Sequence, residues 1–112
     1  MLNFEYGNLL YENALSKPED VKNWRLEGEA SITFPRNRMR MENMYERDKE
    51  KGRHSNYIFW CPETFPSDIS ISWNFLPHTD AGLAMVWFAT AGQNGEDLFD
   101  SRLAPRDGDY PQ

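Results

Sequence analysis

Residues 68–100, read DISISWNFLPHTDAGLAMVWFATAGQNGEDLFD, constrain the fold of this chain more than any other stretch. Ile69, Ile71, Trp73 and Phe75 alternate with Asp68, Ser70, Ser72 and Asn74. That is the period-two pattern of a strand with one buried face. Residues 83–91 are apolar on both sides of a pleat, which predicts a central strand covered on both faces. An acidic loop follows. The combination predicts half of a β-sandwich and its rim.

The rest of the chain continues the pattern. Residues 4–6 and 9–12 read as short strands broken by Gly7-Asn8, a pair that tolerates positive φ. Ser16-Lys17-Pro18-Glu19-Asp20 predicts a helix start, with Ser16 as cap, Pro18 early and two acids near the positive end of the dipole, running only to about Asn23. Residues 24–27, 30–34 and 38–43 predict a meander, separated by Gly28-Glu29 and Pro35-Arg36-Asn37. In the last of these, Met39 and Met41 alternate with Arg38, Arg40 and Glu42, so one side is expected in a core and the other toward water or a ligand. Residues 45–55, almost wholly charged and polar, predict an exposed loop or a short solvated helix. Residues 56–61 return to strand, and the prolines at 62 and 66 close it. About eight strands at short spacing, with one helical turn and no βαβ alternation, predict a single all-β domain over residues 1–112, an antiparallel β-sandwich or jelly roll. The loop-like residues after Asp100 supply none of the strands with which a sandwich normally closes.

Composition narrows the function. With 112 residues, 39% hydrophobic and 14% aromatic, the chain suits one ordered domain with one core. Eighteen acidic against twelve basic residues give a net charge of -6. This opposes binding to a polyanionic nucleic-acid backbone. The run Arg36, Arg38, Arg40 ends at Glu42 and reads first as a solvated strand face. A lone Cys61 rules out an internal disulfide and a multi-cysteine zinc site, and fits a reduced, cytoplasmic setting. No apolar run reaches membrane-spanning length and no secretory leader is recognisable.

Few residues point to chemistry. The loop from Gly92 to Asp100 places Asn94, Glu96, Asp97 and Asp100 at the mouth of an apolar strand, where loops carry function. Such carboxylates suit acid and base work on a glycosidic bond, or calcium through hard oxygen ligands. The same residues read first as an ordinary Asn-Gly turn and a short helix start, since such turns are common in any β domain. Catalytic residues are therefore unassigned, with Glu96, Asp97 and Asp100 as the weak candidates. Trp73 and Trp87, among apolar neighbours, are expected in the core, leaving Trp60 as the tryptophan to spare for a sugar ring. His54 and His78 do not read as a metal pair, and no metal or organic cofactor is expected beyond a structural calcium ion. No nucleophile elbow, phosphate loop, dinucleotide fingerprint or zinc-helix motif is present.

The strings Tyr11-Glu12-Asn13, Trp24-Arg25-Leu26-Glu27-Gly28-Glu29-Ala30, Arg38-Met39-Arg40-Met41-Glu42-Asn43, Phe59-Trp60-Cys61-Pro62 and Asn94-Gly95-Glu96-Asp97-Leu98-Phe99-Asp100 resemble the YesU-like family of unknown function. The resemblance runs across nearly the whole chain. It implies a sandwich like those of concanavalin A-type lectins and glucanases, and a role in bacterial breakdown of pectin-type polysaccharides such as rhamnogalacturonan. It supplies no catalytic residues. Family members extend past the position of Gln112, so unpaired edges and self-association, as a homodimer or larger, are expected.

Three readings follow. The first is an oligosaccharide-binding domain using Arg38, Arg40, Glu42, Trp60 and Asn94, by stacking and bidentate arginine contacts. The second is a hydrolase or lyase on such oligosaccharides, and the third is an interaction module without ligand chemistry.

Overall fold

A computed structural model describes residues 7–44, 56–79 and 84–106. The expected strand at residues 4–6 and the charged segment 45–55 with His54 lie outside these. The chain divides into two compact units, one built from the residues up to Ile69 together with Arg106, the other from Ser70–Pro105. Both are described separately below.

Among its described residues, the first unit holds β-strands and two 3₁₀ turns, Pro18–Val21 and Pro35–Asn37. Its strands are β1 (Arg25–Gly28), β2 (Ala30–Thr33), β3 (Arg40–Asn43) and β4 (Tyr57–Trp60). They form two antiparallel pairs, β1 with β4 and β2 with β3, one nested inside the other. Gly28 faces Tyr57 while Ala30 faces Asn43. The two inner-arm residues are thus separated only by Glu29, whereas residues 44–56 connect their partners on the other arm. The break in the inner arm needs Gly28, whose φ of 88° lies in the left-handed region that residues with a Cβ avoid.

The β2–β3 hairpin turns through Pro35–Asn37, where Arg36 and Asn37 both take positive φ, 54° and 60°. Asn tolerates this; an arginine there costs roughly 1–2 kcal/mol. The Met39 amide offsets part of the strain by donating to the Leu15 carbonyl at 2.8 Å, which ties the turn to the preceding segment. The expected helical turn is present as Pro18–Val21, but its capping is inverted. Ser16 does not cap the turn. Its amide and hydroxyl both donate to the Asp20 carboxylate, at 2.9 and 3.0 Å.

The core is small. Among the described residues only Val21 and Trp60 are buried hydrophobics. Trp24 packs on Phe59 with ring centroids 5.1 Å apart, and Tyr11 meets Phe65 edge-on at 5.7 Å.

Several sequence expectations fail, for one physical reason. Residues 9–12, 69–75 and 84–91 form no strand, although two of these segments have the side-chain pattern of one. Alternation says which residues would share a face; a strand also needs a ladder partner, and none of these segments has one among the described residues. Trp73 and Trp87, expected in the core, are exposed, and so is Met41 of β3, which leaves β3 wet on both faces.

Candidate functional site

A shallow concavity of the first unit lies where the Pro18–Val21 turn meets the chain leaving β4. Pro18 pre-sets the backbone of that turn, and its last residue, Val21, is buried beneath it. Asn13 then ties the neighbouring segment to the turn: its side-chain amide donates to the Tyr11 hydroxyl at 2.8 Å and to the Asp20 carbonyl at 2.7 Å. On the far side, the Trp24–Phe59 packing sets one wall, and Pro62-Glu63 follow directly after Trp60 and Cys61. The result is an open cleft of about 210 Å³. Drug-sized pockets occupy ~300–1,000 Å³, so this cleft suits a single small ring rather than an extended ligand.

Tyr11 and Trp24 supply its aromatic surfaces, Glu19, Asp20 and Glu63 its acceptors, and Lys22 and Asn23 its side-chain donors. Because the Tyr11 oxygen accepts from Asn13, its own O–H remains to be donated. Three carboxylates against one ammonium make the cleft electronegative. It favours neutral or cationic ligands over anionic ones.

Asp20 serves structure as well as lining. Its carboxyl is held below the usual aspartate range, chiefly by the Ser16 amide and also by the Ser16 hydroxyl and Lys17. A carboxyl with a lowered native pKa adds stability above its unfolded value, which is lost as pH falls through the native one. The Ser16–Asp20 link is therefore expected to hold at neutral pH and open only below about pH 4. An amide titration from pH 6 to 2 checks this: the Ser16 signal moves with Asp20, and Asp20→Asn moves it already at pH 6.

The residues singled out from sequence sit elsewhere. Arg40 and Glu42 share one face of β3, as the alternation predicts, and form a loose, exposed ion pair at 3.5 Å. Opposite them on β2 stand Thr33 and Ser31, so this hairpin face is polar throughout. Arg38 precedes β3 and is exposed. On β4, Tyr57 keeps its proton beyond the ordinary range, first through burial and second through the charge of Glu42. Trp60, nominated for a ligand, is instead one of the two buried hydrophobics, with its indole N–H buried and unpartnered. It lies opposite Arg25, on the sheet face that also holds Glu27 and Ile58 and away from Trp24 and Phe59.

In the second unit the acidic loop is organised around its own backbone. Glu96 accepts from the Asn94 amide at 3.0 Å and Asp97 from the Phe99 amide at 2.9 Å. Asp100 holds the Arg102 guanidinium at 2.6 Å and its amide at 2.8 Å. Arg102 keeps the Asp100 carboxyl below the usual range, which suits a fixed anion rather than a proton donor. The Asn94-Gly95 turn forms with Gly95 at φ 84°, and a side chain at Gly92 would collide with Glu96 and Leu103. Among the described residues no His, Cys, Asp and Glu side chains gather as a metal-holding group.

Residues 8–112 match a family described as a domain of unknown function, DUF1961. Uncharacterized protein YesU of Bacillus subtilis (strain 168) is 40% identical over 109 residues, covering 97% of this chain.

The chain belongs to the DUF1961 family.

It spans 46% of the length of that relative, and no solved structure matches it significantly. For this DUF1961 chain, sequence reading missed the cleft because its lining is drawn from three separated places: Tyr11, residues 19–24 and residues 62–63. One signal was available. Tyr11, Trp24 and Pro62 each fall within a string that carries the family resemblance.

Proposed function

We propose that this DUF1961 chain is a carbohydrate-binding β domain, part of a concanavalin A-like sandwich, that takes oligosaccharides of the rhamnogalacturonan type in bacterial polysaccharide utilisation. The cleft carries the proposal: two aromatic rings beside carboxylate acceptors and amide, ammonium and hydroxyl donors. A sugar presents an apolar C–H face and a rim of hydroxyls that both donate and accept, and this lining matches both. Its negative charge selects a neutral sugar unit. A uronate unit fits the exposed Arg38, Arg40 and Glu42 face of the β2–β3 hairpin instead, where a guanidinium fork takes a carboxylate.

Affinity is expected to be weak, near the millimolar range that corresponds to about -4 kcal/mol. Calorimetric titration with rhamnogalacturonan oligosaccharides tests the reading. Glu63 is exposed and forms no part of a strand, so Glu63→Ala removes an acceptor without disturbing the fold. A loss of about 1 kcal/mol, or roughly fivefold in Kd, is expected for that variant. Trp24→Ala is expected to lose binding altogether at accessible concentrations. Wild-type protein that is folded and gives no heat with any of these oligosaccharides refutes the proposal.

A further inference from the structure

The face of the β1–β4 pair away from Trp24 holds two polar atoms that the fold buries and leaves unmatched. Register puts Arg25 opposite Trp60 and Glu27 opposite Ile58, so these side chains share that face while Leu26 and Phe59 share the other. Trp60 is 9% exposed, and its indole N–H is buried without an acceptor. The Glu27 side chain is 13% exposed, and its Oε2 is buried without a donor. Most buried polar side-chain atoms in folded proteins are partnered, because an unpartnered one has given up its hydration for nothing. A donor and an acceptor left over together, on one face of one strand pair, call for a common cause.

The Arg106 contact shows how the second Glu27 oxygen comes to be left over. A guanidinium and a carboxylate often meet fork to fork, one nitrogen on each oxygen. Here Nε at 2.8 Å and a terminal nitrogen at 2.6 Å both donate to Oε1. Oε2 is thereby kept for something other than this arginine. The chemistry of the pair selects what that is. An indole N–H only donates and a carboxylate oxygen only accepts. A cation cannot accept from the indole, an anion cannot donate to the carboxylate, and a nitrile or ether satisfies the indole alone. A hydroxyl oxygen does both at once. Trp60 and Glu27 are diagonal neighbours across the ladder, a backbone separation of about 7–8 Å that long and aromatic side chains reduce to the span of one bridging oxygen. We infer that Trp60 Nε1 and Glu27 Oε2 form a second binding site, for the hydroxyl group of a small neutral alcohol. Burial of both atoms keeps an oligosaccharide out, and the inference is independent of the saccharide reading.

Ethanol and acetonitrile, equal in heavy atoms and differing in the hydroxyl, are the probes. In amide spectra of labelled protein titrated with ethanol, the Trp60 indole proton and the Glu27 amide are expected to shift and saturate together, while the Trp24, Trp73 and Trp87 indoles follow only the linear solvent drift. Half-saturation is expected at about 1 mM or weaker, the limit for so small a ligand. Acetonitrile is expected to bind roughly fivefold more weakly, the worth of one hydrogen bond. Glu27→Gln is expected to reverse that order: with its amide oxygen held by Arg106, its amide nitrogen replaces Oε2, and two donors then face the site. In Trp60→Phe the ring stays and the donor goes, and the ethanol shift at the Glu27 amide is expected to disappear; this variant carries the test where Glu27→Gln does not fold. Equal affinity of the wild-type protein for the two probes overturns the inference, as does a Trp60 indole that moves only with the bulk solvent. A water giving a persistent cross-peak to the Trp60 indole that ethanol does not displace also overturns it, because the pair would then hold a structural water only.

Discussion

Trp60→Ala is expected to unfold the first unit at room temperature, while Trp60→Phe leaves it folded. Trp60 is 9% exposed and shares the core with Val21 alone among the described residues. It also terminates β4, facing Arg25 across the ladder that holds the outer strand pair together. Truncating a buried tryptophan to alanine costs about 3–5 kcal/mol. Whole domains have only about 5–15 kcal/mol in total, and a core this small belongs at the low end. The phenylalanine variant separates packing from hydrogen bonding. Because the indole N–H is buried without a partner, phenylalanine removes an unsatisfied donor whose burial costs about 1–3 kcal/mol. That gain offsets much of the lost volume, so the net change is expected to stay under about 1.5 kcal/mol. Urea unfolding of the three proteins, followed by circular dichroism, measures both differences. An alanine variant within about 1 kcal/mol of wild type would remove Trp60 from the core and return it to the ligand-binding role expected from sequence.

The second large effect lies at Arg106. Its guanidinium donates to Glu27 Oε1 through Nε at 2.8 Å and through a terminal nitrogen at 2.6 Å. Both side chains are mostly buried, 21% and 13% exposed, and the second Glu27 oxygen is buried without a partner. Removing one member of a buried pair leaves the other charge uncompensated, at about 3–5 kcal/mol when burial is complete. Residual solvent at this pair lowers the expected cost of Arg106→Ala to about 2–3 kcal/mol, a fall of roughly 8–15 °C in Tm. A replacement of both residues by leucine behaves differently. With no stranded charge, the double variant is expected to recover most of the loss, since an apolar pair of similar volume often matches a buried ion pair. The thermodynamic cycle reads the coupling directly. Additive single and double effects would mean that the two side chains do not act as a pair.

Local signals were legible in the sequence where local chemistry decides the outcome. Pro18 with Glu19 and Asp20 gave a helical turn, Pro35-Arg36-Asn37 gave the hairpin turn, and three of the four described strands of the first unit lie within the expected segments, while the other, β1, is shifted by one residue to include Gly28. Asn94-Gly95 turned as expected, and the acids that follow it cap their own backbone. Non-local facts were not legible. Period-two alternation in residues 69–75 is real, but whether it becomes a strand depends on a partner that local pattern cannot supply. Tryptophan burial failed in the same way: Trp73 and Trp87 have apolar neighbours in sequence and solvent in space, whereas Trp60, beside Cys61 and Pro62, is covered. The cleft depends on three chain segments meeting, and no spacing rule encodes that.

A two-dimensional amide spectrum of labelled protein, titrated with rhamnogalacturonan oligosaccharides while following the four tryptophan indoles, tests saccharide binding at the cleft most directly. The Trp24 indole and the amides of residues 19–23 and 63 are expected to shift together and saturate, with the buried Trp60 indole unmoved. A dispersed spectrum in which Trp24 stays fixed, or in which only Trp73 and Trp87 respond, would contradict a sugar site between Tyr11, Trp24 and Glu63.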